Sequence, residues 1–374
     1  MKMKKPTLFL VLITCVGLLA FVLLIKLSPP GRPQVPSKPY SYHSEDVTFP
    51  NPEEDITLAG TLTLPSVEGN FPAVVLISGS GAQNRDEEVA GHQPFLIISD
   101  HLTKNGVAVL RFDDRGFGKS TGNFNEATTV DFASDVKSAI AYLKTRKEIN
   151  KTKIGLIGHS EGGIVAPMVA SSSQDVSFIV LLAGPGIGLR KVLMMQQELI
   201  PRAMGISESD IQKSLAINET AFEMIEKSQD RETLKAELAK YIEESYDKVP
   251  AKLLPSKMTK EQVIKMQSEK LSSPWYKNLL NYDPAPTLEK VACPVLALNG
   301  EKDLQVTPKE NLAGIKNAVT KGGNINVTVK ELPGLNHLFQ ECETGSLTEY
   351  ETIEQTFAPT ALAEITAWIL KQVQ

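Results

Sequence analysis

One stretch constrains this chain more than any other: Lys153-Ile154-Gly155-Leu156-Ile157-Gly158-His159-Ser160-Glu161-Gly162-Gly163. An apolar run typical of a buried strand ends in Gly-x-Ser-x-Gly, and a helix-like segment over residues 164–171 follows at once. That is the context of a nucleophile elbow, a sharp strand-to-helix turn that presents a serine. Gly158 and Gly162 flank Ser160 because the turn is too tight for a Cβ on either side. The same turn holds Ser160 at a strained backbone angle, which lifts its hydroxyl clear of the sheet edge. The spacing alone also arises by chance in Gly-rich turns; the strand before it and the helix after it make it specific.

A serine hydroxyl is a poor nucleophile near neutral pH, so a base must take its proton and a carboxylate must orient that base. Of His43, His92, His101, His159 and His337, only His337 lies downstream of Ser160. It follows the β-branched run Ile325-Asn326-Val327-Thr328-Val329 and sits in the turn-rich Leu332-Pro333-Gly334-Leu335-Asn336, ahead of a helix expected over residues 357–372. A loop histidine is ordinarily a solvated surface group; this position makes His337 the expected base. The acid is expected just past the preceding strand, in Cys293-Pro294-Val295-Leu296-Ala297-Leu298-Asn299-Gly300-Glu301-Lys302-Asp303. Asp303 is the choice, because it can accept from one ring nitrogen of His337 and fix the tautomer. Glu301, nearer the strand end, is the competitor. Thr307 before Pro308 is the better N-cap for the next helix, which leaves Asp303 free of that duty.

Acyl transfer builds an oxyanion that needs two preorganised N–H donors. One is expected from the backbone of Glu161, whose side chain has no part in that task. The other is expected from Ser78-Gly79-Ser80-Gly81, which follows the strand-like Ala73-Val74-Val75-Leu76-Ile77. The Ser80 N–H is assigned, with Gly81 as the alternative.

Together these segments resemble those of α/β-hydrolases, and more narrowly of bacterial carboxylesterases grouped with the serine aminopeptidase and dienelactone hydrolase families. The likeness is carried by Ser78-Gly79-Ser80-Gly81-Ala82-Gln83-Asn84-Arg85-Asp86-Glu87, by Arg111-Phe112-Asp113-Asp114-Arg115-Gly116-Phe117-Gly118-Lys119-Ser120, by the elbow, and by the Asp303 and His337 loops. It covers residues 44–374. It implies a mostly parallel twisted sheet with helices on both faces, a helical cap insertion, and a Ser160–His337–Asp303 triad. Many relatives begin the oxyanion loop with His-Gly where this chain has Ser78-Gly79, so a supporting contact of that loop is left open. Gly118-Lys119-Ser120 is similar to the end of a phosphate-binding loop, but that pattern requires a glycine where Asp113 stands. In the hydrolase resemblance this segment is a structural turn after a strand over residues 107–112, with Asp114 and Arg115 paired.

The body, residues 43–374, opens with β-rich segments over 43–49 and 56–64, expected as an antiparallel edge. Helices over 95–104 and 130–145 and strands over 107–112, 154–158 and 178–182 then alternate, which means parallel pairing with helices on both faces. Between Gly184 and Asp283 the pattern changes to long charged helical segments, expected as a cap over about residues 185–284. Of the 9 methionines, Met194, Met195, Met204, Met224, Met258 and Met266 fall here. Flexible thioethers suit a pocket for varied acyl groups, although any one of them serves equally as a gap-filler between helices. Met194 and Met195, close after Gly184-Pro185-Gly186, are the best pocket candidates; Trp275 and Tyr276 are candidates for the seam between cap and core.

The amino terminus stands apart. Met1-Lys2-Met3-Lys4-Lys5 is basic and residues 7–25 are almost wholly apolar. As a helix this run spans about 28 Å, close to a bilayer's hydrocarbon core. Residues 1–26 are therefore expected as a membrane anchor, with a cleaved signal or a lipoprotein at Cys15 as alternatives, and the leading lysines put the body outside, periplasmic or extracellular. Pro29, Pro30, Pro33, Pro36 and Pro39 make residues 27–42 an extended spacer. Export permits a disulfide between Cys293 and Cys342. Their places at opposite ends of a strand argue for two free thiols instead. A net charge of −5 gives no basic field for nucleic acid. No Cys/His cluster has metal spacing, and a serine triad needs neither metal nor cofactor. The expectation is an exported serine hydrolase of small to medium carboxylic esters. A serine peptidase or thioesterase on the same triad is the alternative, and a non-catalytic binding protein the least favoured. A peptidase would hold a free amine with cap carboxylates such as Glu198, Glu223 or Glu243.

Overall fold

A computed structural model of the chain describes residues 32–255 and 257–374. The anchor or signal expected over residues 1–26 and the first part of the spacer lie outside the described residues. Among the described residues no helix is long and apolar enough to cross a membrane.

The strands are β1 (His43–Asn51), β2 (Ile56–Leu64), β3 (Phe71–Ile77), β4 (Ala108–Phe112), β5 (Ile149–His159), β6 (Phe178–Leu182), β7 (Val295–Gly300) and β8 (Val327–Leu332). They form one sheet in the order β1-β2-β4-β3-β5-β6-β7-β8. β1 with β2 and β2 with β4 are antiparallel; every pair from β4 to β8 is parallel. The central strands read as unbroken apolar runs because helices cover both faces. Alternate residues therefore feed two cores. Val75, Leu110, Leu156, Leu181 and Ala297 point to one face; Leu76, Val109, Ile157, Leu182 and Leu298 point to the other. β1, at the margin, instead alternates in burial along its length.

One face carries α2 (Thr129–Thr145), α3 (Gly162–Ala170) and α10 (Pro308–Lys321), and the other α1 (Pro94–Lys104) and α11 (Pro359–Gln372). α2 starts with a capping box, Thr128 with Asp131, which satisfies orphan N–H groups at that end. Between β6 and β7 the chain makes α4 (Leu189–Ala203), α5 (Glu208–Lys227), α6 (Arg231–Ser245), α7 (Lys260–Leu271), α8 (Pro274–Leu280) and the short α9 (Ala285–Leu288). Leu193, Phe222, Leu238, Leu271, Trp275 and Tyr276 of this segment bury one cluster with Ile164 of α3, which seats the segment on the elbow helix.

β8 differs from its sequence pattern. It begins at Val327 and runs through Leu332, because pairing with β7 continues to Gly300↔Leu332 through polar Lys330 and Glu331. The turn after Phe112 is also wired differently. Arg115 does not pair with Asp114: its Nε and Nη2 grip both Asp135 oxygens at 2.7 and 2.9 Å, a bidentate fit across to α2. Asp114 instead accepts from the Gln83 N–H at 2.8 Å. Asp113 takes Arg85 at 3.0 and 2.9 Å and the Lys119 N–H at 3.0 Å, so the residue that breaks the phosphate-loop pattern is a clamp on its own turn. Cys293 and Cys342 are free thiols.

Candidate active site

The chain leaves β3 for β4 on one side and returns to β5 on the other. This puts the loop after β3 and the end of β5 at the switch point of the sheet, where the crevice of an open α/β sheet lies. β5 ends at His159 and α3 starts at Gly162. Between them Ser160 has φ 52°, a left-handed conformation that costs a non-glycine residue about 1–3 kcal/mol. The turn is held there by Ser160 N–H to Leu182 O and Gly163 N–H to Ser160 O, both 2.9 Å. A Cβ on Gly158 would lie 2.0 Å from Gly162 O, and one on Gly162 would lie 2.2 Å from Ile77 O. Both glycines are thus steric requirements of this turn.

Asp303, in the loop after β7, and His337, in the loop after β8, meet with Nδ1 and Oδ2 2.7 Å apart. Both are buried, at 2% exposure each. The other Asp303 oxygen accepts the N–H groups of Gln305 and Val306 at 2.8 and 2.9 Å, which fixes the carboxylate. Glu301 is spent elsewhere, accepting from Gly334 N–H at 2.8 Å on the surface. With Nδ1–H donated to Asp303, the lone pair of His337 lies on Nε2. No hydrogen bond joins this ring to the Ser160 hydroxyl; contacts of this kind commonly tighten only around substrate. The ring centroids of His337 and of His159, the residue bonded to Ser160, are 4.8 Å apart.

Around the elbow lie contacts that the sequence did not announce. The Glu161 side chain, given no part at the sequence level, is 3% exposed. It accepts from Thr129 Oγ1 at 2.8 Å and from Trp275 Nε1 at 2.9 and 3.1 Å, so α2 and α8 converge on the residue after Ser160. Burial raises its pKa, and hydrogen bonds from Trp275, Thr129 and Ser80 oppose that shift. His159 and Glu87 are also buried and bonded to one another at 2.8 Å. Their partners lie 72 residues apart in the chain, beyond any spacing rule. The one available signal was the loop beginning Ser78-Gly79 instead of His-Gly. Its Gly79 N–H donates to Glu87 Oε1 at 2.7 Å. A Cβ on Gly79 would sit 3.2 Å from that of Ser160, so this loop packs directly on the elbow. The Glu87–His159 pair borders a cavity of about 10 Å³ lined also by Phe95, Leu182 and Phe357, room for no more than one water. Met194 packs on the cluster shared with Ile164, and Met195 is half-buried on the same helix.

An eight-stranded, mostly parallel sheet of this order, with a left-handed serine after β5 and an acid–histidine pair after β7 and β8, has the α/β-hydrolase fold. Within that class, residues 94–252 match the family described as Serine aminopeptidase, S33. The chain is 27% identical over 323 residues to esterase EstD of Thermotoga maritima, which spans 85% of this chain and 68% of that protein. Its fold is similar to that of the hypothetical protein PA2218 from Pseudomonas aeruginosa, with a TM-score of 0.55 at 16% identity, covering 94% of this chain and 100% of that one. It is also similar to the Pyrococcus furiosus esterase Pf2001, with a TM-score of 0.54 at 20% identity over 93% and 98% of the two chains.

Proposed function

We propose that the protein is a serine hydrolase of carboxylic esters. The observation that carries this reading is the left-handed Ser160 with the buried Asp303–His337 pair on the loops beside it. In this reading His337 Nε2 takes the proton of Ser160 Oγ as that oxygen attacks the ester carbonyl carbon. Asp303 keeps the proton on Nδ1 and stabilises the imidazolium that forms. The backbone N–H groups of Ser80 and Glu161 hold the oxyanion, each contributing about 10²–10³ in rate. Collapse expels the alcohol, which receives the proton from His337. Water, deprotonated by the same ring, then releases the acid and restores Ser160. Met194 and Met195 are assigned to an acyl pocket for small to medium groups.

The likeness to the Thermotoga esterase supports ester substrates. The peptidase reading loses its proposed amine-binding groups. Glu198 is taken by Arg202 and Glu223 by Lys227, each at 2.8 Å on an exposed helix face, and Glu243 faces solvent. Hydrolysis of p-nitrophenyl acetate, butyrate and octanoate beside an aminoacyl p-nitroanilide, with Ser160→Ala as control, tests the assignment. Ester turnover that vanishes in the variant supports it; turnover of the anilide alone moves the assignment to a peptidase; ester turnover unchanged in the variant overturns the serine mechanism. Export is proposed on residues 1–25 alone, and fractionation of cells expressing the full chain checks it.

A further inference from the structure

We infer that His159 and Glu87 form a positioning pair for this reaction, tying the backbone of the base His337 to the loop that carries Ser80. The inference rests on the ester-hydrolase reading above. His159 Nδ1 meets Glu87 Oε1 at 2.8 Å, and His159 Nε2 meets the backbone carbonyl of His337 at 3.0 Å. A carbonyl oxygen only accepts, so Nε2 carries a proton. Glu87 Oε1 also accepts the Gly79 N–H, at 2.7 Å. One imidazole and one carboxylate therefore span from the residue before Ser80 to the residue proposed as base, through the residue bonded to Ser160. Both side chains are buried, His159 at 7% and Glu87 at 2% exposure. Glu87 is held at φ 51°, a conformation a non-glycine residue keeps only where its surroundings require it.

The pair works only with a doubly protonated ring, because a neutral imidazole has a single N–H for two acceptors. The groups facing it are Glu87 from the loop after β3, Asp303 from the loop after β7 and the His337 ring from the loop after β8. Burial opposes the charged ring. The Glu87 charge and hydrogen bond, the His337 carbonyl and Asp303 together outweigh burial, so the pKa of His159 is raised. Replacing Glu87 with glutamine keeps the acceptor and removes the charge. Burial is then no longer outweighed, so the second ring proton is lost already below the ordinary histidine range, and one of the two contacts goes with it.

The test compares His159→Asn, His159→Gln and Glu87→Gln in the full chain on a p-nitrophenyl ester. The value of kcat is normalised to active sites titrated with a fluorophosphonate that labels Ser160. Asparagine reaches towards Glu87 only, whereas glutamine places its N–H where Nε2 stood and keeps the donor to the His337 carbonyl. Misplacement of a catalytic group by about 1 Å costs about 10²-fold. We expect kcat to fall about 10- to 100-fold in His159→Asn with KM within about twofold, and to recover at least about fivefold in His159→Gln. In Glu87→Gln, kcat relative to wild type should be lowered throughout about pH 6 to 8 and recover only towards lower pH, where the buried ring regains its second proton. If the histidine variants do not fold, the pH profile of the near-isosteric Glu87→Gln carries the test. Equal kcat per titrated site in all variants, with only their melting temperatures lowered, overturns the positioning role and leaves a structural one. Wild-type protein that neither hydrolyses the ester nor labels at Ser160 overturns the parent reading, and this inference with it.

Discussion

Two buried acid–histidine pairs stand beside one another at the carboxyl end of the sheet, Asp303–His337 and Glu87–His159, with acid–ring distances of 2.7 and 2.8 Å. They differ at the second ring nitrogen. Nε2 of His159 is fixed on the His337 carbonyl, whereas Nε2 of His337 has no hydrogen bond among the described residues. A third buried histidine, His92, has no carboxylate: Thr356 Oγ1 and the Tyr350 carbonyl occupy its nitrogens at 3.0 and 2.7 Å, and burial pushes its pKa down to about 4. The Glu87 carboxylate thus keeps the buried His159 ring able to hold charge. What the far nitrogen meets then separates the proposed base from the proposed tether.

The comparison breaks most sharply at Asp303. Asp303→Asn should lower kcat by about 10⁴ with little change in fold, because the amide favours the wrong tautomer of His337. A loss under about tenfold in steady-state kinetics would remove the distinction between the two pairs. The Glu87→Gln effect should be about two orders of magnitude smaller, since Glu87 acts on position and not on the transferred proton.

Next comes the seam between the helical segment and the elbow. Trp275→Phe keeps an aromatic ring, gives up part of the indole volume and deletes the donor to the buried Glu161 carboxylate, which should cost at least about 1.5–3 kcal/mol of stability by denaturant unfolding. A cost below about 0.5 kcal/mol would make that bond incidental.

The smallest effect is expected at Asp114. Burial pushes its carboxyl well above the usual range, with Glu161, Glu87 and Asp135 adding to the shift against the Gln83 N–H bond. An acid raised on folding binds its proton more tightly in the folded state, so its contribution to stability is full below about pH 4 and is lost as pH rises through the folded pKa. Asp114→Asn keeps an acceptor for Gln83 and cannot ionise. Its melting temperature should match wild type near pH 4 and exceed it increasingly towards pH 8. A difference independent of pH would discard this account.

Much of this architecture was legible in the chain. The apolar runs marked β3 to β7, and Gly-His-Ser-Glu-Gly marked the turn, because a strand feeding a helix through so tight a bend excludes a Cβ at Gly158 and Gly162. That Asp303 and not Glu301 meets His337 was also readable, since a residue further past the strand end can turn back to the next loop. Other features were not. Arg115 looked paired with its neighbour Asp114 because adjacency is all a sequence displays. In the fold α2 brings Asp135 within 2.7 Å, and the bidentate geometry wins. The extent of β8 was not legible in the β-branched run over 325–329, because main-chain pairing with β7, and not side-chain pattern, sets an edge strand's length.

The sequence by itself determined the strand–turn–helix of Ser160, the alternation that builds the sheet and the chain order of serine, acid and histidine. These depend on local sterics and on the periodicity of burial, which neighbouring residues encode. Only the tertiary structure decided what Glu87, His159 and Glu161 do. Each is a polar group taken out of water, and such a group is stable only where distant segments supply its partners. Those partners come from loops and helices that meet at the switch point of the sheet.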